Sequence, residues 1–291
     1  MKIAIASGKG GTGKTLLSTN LFYTLQQANK PVALIDCDAE EPNDREFIAG
    51  ELLGTNTITQ KVPVIDAQKC TFCGKCKEYC SYNAIVMLKP ASFIEVVEDL
   101  CHDCGACLAA CEYDAITEKD KDLGQVSYYK LSTNSRLIEA RANVGVYSPV
   151  PIIKMAIKQP ENGEILILDS PPGISCPFIA TVEDADFVLL VTEPTPFGLN
   201  DLKLSVETLE QLGKKMGVII NRSGLGDQSV YQYLREKKIP FLMEIPFDKR
   251  IAEAYSKGKL ITVELPEYRQ AFAELYQKVE QQINTPQPQE P

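Results

Sequence analysis

An internal duplication is the strongest constraint on this chain. Cys70, Cys73, Cys76 and Cys80 recur as Cys101, Cys104, Cys107 and Cys111, each displaced by 31 residues. The neighbours repeat as well: CGKC against CGAC, and YNAI at 82–85 against YDAI at 113–116. Two copies of a period near 30 describe a duplicated unit with two-fold pseudosymmetry rather than a solenoid. Each copy reads C-x2-C-x2-C-x3-C. Zinc sites usually pair two C-x2-C units across a longer spacer, whereas four thiols this closely spaced suit an iron–sulfur cubane, which takes one thiolate per iron. A disulfide framework belongs to short secreted chains, and the opening MKIAIASGKGG has no signal-peptide h-region or cleavage site. A reducing cytoplasm is therefore the expected compartment. The single histidine, His102, excludes any site that needs several His ligands. Beside Cys101, it reads as a solvated loop residue or as a group that tunes one cluster.

Outside the duplication the chain alternates between two patterns. Short apolar runs at 2–6, 32–36, 164–169, 187–192, 216–221 and 240–245 read as parallel strands buried on both faces. Helical patterns fall near 14–28, 149–158, 198–213, 229–237, 248–257 and 266–283. Together they imply an α/β fold, with a mostly parallel sheet of seven or eight strands covered by helices on both faces. Residues 62–123 interrupt it and read as a small inserted α+β domain. The larger α/β domain would then comprise 1–61 plus 124–284, and the polar, Pro-rich end 285–291 reads as a disordered tail. The chain carries 30 basic and 39 acidic residues, net −9, and the insertion holds 11 acidic and 6 basic, net −5. Such a balance argues against nucleic-acid binding. No apolar run is long enough to span a membrane.

GKGGTGKT at 8–15 fits G-x-x-x-x-G-K-[ST] directly after a strand and at the start of a helix, the context that gives the motif its meaning. Backbone N–H groups of Gly8, Lys9, Gly10, Gly11, Thr12 and Gly13 would converge on phosphate oxygens, aided by the helix N-terminus. Lys14 would reach the β- and γ-phosphates, and the Thr15 hydroxyl would ligate Mg2+.

The second lysine, Lys9, makes KGGTGKT resemble the deviant Walker A of the MinD/ParA/Mrp superfamily of P-loop ATPases, the CobQ/CobB/MinD/ParA nucleotide-binding type that includes the nitrogenase iron protein. The resemblance covers about 1–60 and 125–282. It implies ATP as nucleotide and a nucleotide-dependent homodimer in which Lys9 reaches the partner's phosphates. VALIDCDAEEPN at 32–43 resembles its switch I, with Asp38 orienting the attacking water. ILILDSPPGIS at 165–175 resembles Walker B and switch II, with Asp169 holding Mg2+ through water. Asn221 matches the adenine-binding Asn, and 244–258, including Pro246, matches the segment that closes over the base. The helix at 266–283 carries only Arg269 and Lys278 as basic residues, so it is expected to pack on the core, unlike a basic membrane-targeting helix.

The cysteine repeat resembles bacterial two-cluster ferredoxins, in which the fourth Cys of each run serves the other cluster. That implies one [4Fe–4S] cluster on Cys70, Cys73, Cys76 and Cys111, and a second on Cys101, Cys104, Cys107 and Cys80. Ser81 and Glu112 stand where the ferredoxin pattern has Pro. Of the remaining cysteines, Cys37 reads as a small packing thiol. Cys176, seven residues after Asp169, reads either as a buried switch II thiol or as a metal-reactive one, at the spacing where the nitrogenase iron protein ligates a cluster. Three functions are compatible with the motifs: ATP-dependent electron transfer to an unidentified redox partner, delivery of a cluster or metal centre to a client protein, or a redox-sensing positioning scaffold.

Overall fold

A computed structural model describes residues 1–158 and 163–285, so the tail expected at 285–291 lies outside the described residues apart from Thr285. The chain opens with β1 (Lys2–Ala6), α1 (Lys14–Gln27) and β2 (Val32–Asp36). Residues 51–142 then hold β3 (Glu51–Ile65), α2 (Lys75–Glu78), β4 (Ile85–Leu88), β5 (Phe93–Val96), α3 (Ala106–Ala109), β6 (Ile116–Lys130) and β7 (Ser135–Ala142). Alternation resumes with α4 (Val150–Ile157), β8 (Ile165–Asp169), α5 (Cys176–Val182), β9 (Phe187–Thr192), α6 (Pro196–Gln211) and β10 (Met216–Ser223). The last elements are α7 (Ser229–Lys237), β11 (Phe241–Pro246), α8 (Lys249–Ser256), α9 (Ile261–Glu264) and α10 (Glu267–Asn284).

Among the described residues the main sheet has nine strands in the order β11-β10-β9-β1-β8-β2-β7-β6-β3, rather than the expected seven or eight. Neighbours from β11 to β7 are parallel, while β6 is antiparallel to both β7 and β3. The apolar runs formed the parallel part because residues on both faces are buried. Ile3 and Ile5 face one core, and Ala4 and Ala6 face the other. Leu17, Leu21 and Phe22 of α1 and Phe272, Leu275 and Val279 of α10 fill the first. Ile152 of α4, Phe178 of α5 and Leu202 and Val206 of α6 fill the second. The C-terminal helix is thus packed on the sheet.

Helix starts follow local chemistry. Thr195 caps α6 by accepting from the Gly198 N–H at 3.0 Å, with Pro196 as the first helical residue. Asp248 caps α8 through the Arg250 N–H at 2.8 Å. No side chain caps α1, which starts after Gly13 and leaves its first N–H groups for another acceptor.

The duplicated unit is carried on a ribbon. β3 and β6 pair from Glu51↔Lys130 to Ile65↔Ile116 with register shifts that leave out Leu53 and Leu123, so residues 61/62 and 123/124, the expected limits of the insertion, fall inside the two strands, the second at a shift. The pseudosymmetry is visible in the register. Ile65↔Ile116 and Val62↔Lys119 of the ribbon become, with the 31-residue shift exchanged between strands, Val96↔Ile85 and Phe93↔Leu88 of the β4–β5 pair. The short helices α2 and α3 are related by the same shift. So are the left-handed residues Phe72 and Asp103, Gly74 and Gly105, and Asn83 and Asp114. Ile85, Met87, Ile116 and Cys76 form a small core of their own.

Candidate functional site

Parallel topology brings β1, β8 and β2 side by side, so the loops leaving their carboxyl ends meet in one crevice, where ligands of open α/β sheets bind. Asp36 and Asp169 are directly opposite in register at the ends of β2 and β8. The loop 8–13 leaves β1 next to them. A cavity of about 430 Å3 opens there. Gly10, Gly11, Gly13, Lys14, Thr15, Asp38, Asp169, Asn221 and Pro246 all line it.

Lys14 is buried, and its ammonium donates to Ser7 Oγ at 3.2 Å. Burial lowers its pKa, against the opposing pull of Asp169 and Asp38. Thr15 Oγ1 donates to Asp169 Oδ2 at 2.8 Å, while Asp169 Oδ1 is buried without a partner. An orphaned carboxylate oxygen beside a threonine hydroxyl is a hard-oxygen set of the kind Mg2+ takes. Asp38 is half-buried, and burial pushes its carboxyl up to about 6. Gly13 has φ of 102°, and a Cβ there would collide with Asn221 Nδ2. That side chain instead donates to the Thr12 carbonyl at 2.7 Å and ties the loop to β10.

Three of the expected loop residues do not line the cavity. Gly8 packs against Asp201, where a Cβ would stand 2.6 Å from the backbone oxygen. Thr12 points its hydroxyl into the interior. Lys9 turns aside, with Nζ 3.5 Å from Glu193 Oε2. Arg222 Nη1 donates to the other oxygen of that carboxylate at 2.6 Å.

The structure also adds residues that sequence patterns did not single out. Asp36 accepts from the backbone N–H groups of Asp38, Asn43 and Asp44 at 3.1, 2.8 and 3.0 Å, which folds the 38–44 loop back onto the strand end. Asp44 is fully buried with no N–H or hydroxyl donor on either oxygen, and its carboxyl lies within hydrogen-bonding reach of the Asp169 carboxylate. Burial first, and then the charges of Asp36 and Asp169, raise its pKa well above the carboxylate range. Arg222, Phe247 and Tyr255 complete the cavity wall. Phe247 and Tyr255 lie within 244–258, where the resemblance points to the segment as a whole and not to these two side chains. Asp44 carried no signal, because it sits in the polar run EEPND that reads as a solvated turn.

All ten cysteines are free thiols. Cys70, Cys73, Cys76 and Cys111 line one cavity, and Cys80, Cys101, Cys104 and Cys107 line another. Each set therefore contains the last cysteine of the other repeat. The thiols surround these cavities without converging on a point. Among the described residues, no three His, Cys, Asp or Glu side chains stand closely enough to hold a single ion. Backbone N–H groups of Phe72 and Ala84 donate to the sulfurs of Cys70 and Cys80 at 3.4 and 3.3 Å. The N–H of Lys75 lowers the pKa of the exposed Cys73 thiol, whereas burial raises that of Cys76. His102 is exposed and stacks on Tyr82, with ring centroids 3.7 Å apart. Cys37 is buried behind β2. Cys176 is exposed at the start of α5, which removes the reading of it as a buried switch thiol.

A strand, a glycine loop and an uncapped helix around a cavity with lysine, threonine and strand-end aspartates define a P-loop nucleotide-binding protein. The chain belongs to the CobQ/CobB/MinD/ParA nucleotide-binding domain family, which it matches over residues 3–261. It is 36% identical over 264 residues to the uncharacterized protein MJ0579 of Methanocaldococcus jannaschii, covering 89% of this chain and 90% of that one. It is 24% identical over 288 residues to the cytosolic Fe-S cluster assembly factor Nubp2 homolog of Aedes aegypti, covering 91% and 90%. The septum site-determining protein MinD of Pyrococcus horikoshii, solved with Mg-ADP, superposes over 97% of both chains with a TM-score of 0.57 at 21% identity, a likeness of fold. Among the described residues, no helix is long and apolar enough to cross a membrane.

Proposed function

We propose that this chain is a Mg2+-dependent ATPase, working as a nucleotide-dependent homodimer, that couples its switch to electron transfer through two [4Fe–4S] clusters in a ferredoxin-like insertion. The observation that carries the reading is the sorting of eight thiols into two sets of four, each completed by the other repeat. Four thiols set around a cavity rather than on a point suit a group with several irons, each needing one ligand. When bound, each cluster supplies a one-electron couple.

The rest is done by the chain's own residues. Free N–H groups at the start of α1 and the loop 10–13 hold phosphate oxygens. Lys14 would offset their charge, and the Thr15 hydroxyl and Asp169 would hold Mg2+. Asp38, ionised, positions the attacking water, and catalysis is then mostly placement and charge compensation. Lys9 must leave Glu193 to reach across a dimer, so ATP favours the dimer by contacts that the monomer lacks.

Anaerobic reconstitution with iron counting and potentiometry tests the proposal. About eight irons per chain and a cluster potential that shifts between ADP and an ATP analogue are the expected result. Tightly bound zinc, or potentials indifferent to nucleotide, would end it. A second reading, delivery of a cluster or metal centre to a client, draws on the exposed Cys176 and on the assembly-factor relative. It requires iron beyond the eight-cysteine complement that is lost in Cys176→Ala and transferred to an apo-acceptor.

A further inference from the structure

The two thiol sets differ in what lies beside them. The cavity of Cys80, Cys101, Cys104 and Cys107 shares Cys101, His102 and Asp103 with a larger cleft of about 730 Å3. The cavity of Cys70, Cys73, Cys76 and Cys111 shares no residue with that cleft. The cleft is also lined by Glu40 and by Ser175, Cys176 and Pro177. Glu40 stands between Asp38 and Glu41, which both line the nucleotide cavity, and the 175–177 segment follows Ser170 and Pro172, which line it too. Two loops therefore have one end in each cavity.

The cleft also has a chemical character. Its floor is apolar, with Leu123 and Pro149 buried and Tyr147 exposed at the rim. Its one lysine, Lys121, is held by Asp99 at 2.6 Å, leaving Glu40 and Asp103 outside any ion pair among the described residues. The surrounding segment 62–123 is net −5. A volume of several hundred Å3 with an apolar floor and a few polar groups is that of a binding site, and the acidic excess of Glu40, Asp99 and Asp103 over Lys121 sets the sign of its ligand, although Asp103 also accepts from the Lys61 N–H at 2.9 Å.

We propose that this cleft docks a basic surface segment of a protein that accepts electrons, and that the set of Cys80, Cys101, Cys104 and Cys107, not the other set, is the point of exchange. Lys or Arg side chains of the segment pair with Glu40 and Asp103 while their stems cover the apolar floor. One electron passes to a one-electron acceptor, with no bond made or broken and no proton moved. Because Glu40 belongs to a loop that also lines the nucleotide cavity, nucleotide state bears directly on the docked segment. The inference rests on the reading of the eight cysteines as cluster ligands.

Oxidised cytochrome c, a basic one-electron acceptor, serves as the probe against the reconstituted, reduced full-length chain. At low ionic strength Glu40→Lys is expected to lower the second-order rate of cytochrome c reduction about tenfold, and to flatten its salt dependence. Glu112→Lys, beside Cys111 of the other set, leaves the rate within about twofold. Alkylation of Cys176 by iodoacetamide, followed by mass spectrometry, is expected to slow several-fold when cytochrome c is added to the unsubstituted chain but not to Glu40→Lys. Equal rates for Glu40→Lys and the unsubstituted chain, or slowing confined to Glu112→Lys, would overturn the proposal. So would Cys176 alkylation indifferent to cytochrome c. Iron well short of about eight per chain overturns instead the reading of the cysteines, and the alkylation arm then decides the docking claim alone.

Discussion

Phe22, Phe178, Phe187 and Phe272 are fully buried in the nucleotide-binding half, distributed over both faces of its sheet. In residues 66–115 the two phenylalanines are not buried, and the apolar cluster there is Cys76, Ile85 and Met87, closed by Ile116 from the ribbon. The first region is held by the hydrophobic effect over two large interfaces. The second is a unit of about fifty residues, a size at which a core alone is marginal. Under the proposed function, bonds from its thiols to the clusters would add what that core lacks. One chain would then combine two ways of being stable, and the two should fail separately.

The largest test of that contrast is iron removal. Chelation, or Cys76→Ser, is expected to raise hydrogen exchange of amides in α2, β4, β5 and α3 on the order of a thousandfold, while β1 and β8 keep their protection. Loss of protection in both regions together would break the comparison. Phe272→Ala addresses the other side. It should cost about 3–5 kcal/mol in the main denaturation transition, read by far-ultraviolet circular dichroism, with cluster absorbance unchanged below that transition. Lys14→Ala is expected to lower ATP turnover on the order of a hundredfold, with iron content unaltered. A parallel loss of iron would show the two sites to be one cooperative structure.

The smallest effect is that of pH. Asp38 is raised to about 6 by burial, and in the proposed role it would have to be ionised to position water. It gains its proton as pH falls through that value, so turnover should decline below about pH 6, approaching tenfold per unit. Asp38→Asn should be slow and flat across the same range. Cluster absorbance should not follow this profile, and if it does, the two regions share a titrating group.

The difference also explains what could be read from the residues alone. Parallel strands were legible because VALID, ILILD and FVLLVT are apolar at every position before the last, which a doubly covered strand tolerates. The ribbon was not. ELLGTNTITQKVPVI in β3 is mostly exposed, with Ile58, Val62 and Pro63 as its few buried side chains, so it carries neither period. SRLIEARA in β7 is buried at charged as well as apolar positions. Glu139 is buried there, and Arg141 Nε donates to it at 3.0 Å. The P-loop and the two cysteine quartets were legible because their chemistry is local in sequence. Asp44 and the Glu193 contacts of Lys9 and Arg222 were not, because proximity there is made by the sheet order and leaves no spacing to recognise.

The ribbon has one more consequence. Ile65 and Ile116 are register partners at its far end, with the Asp66 N–H donating to the Ala115 carbonyl just beyond them. Everything from 66 to 115 therefore enters and leaves the fold through a single gap one strand spacing wide. An Asn-Gly hairpin turn spans such a gap with two residues. The molecule is in that sense built with a splice junction: a lineage could acquire or discard the whole cysteine unit in one recombination event, without moving a residue of the nucleotide cavity.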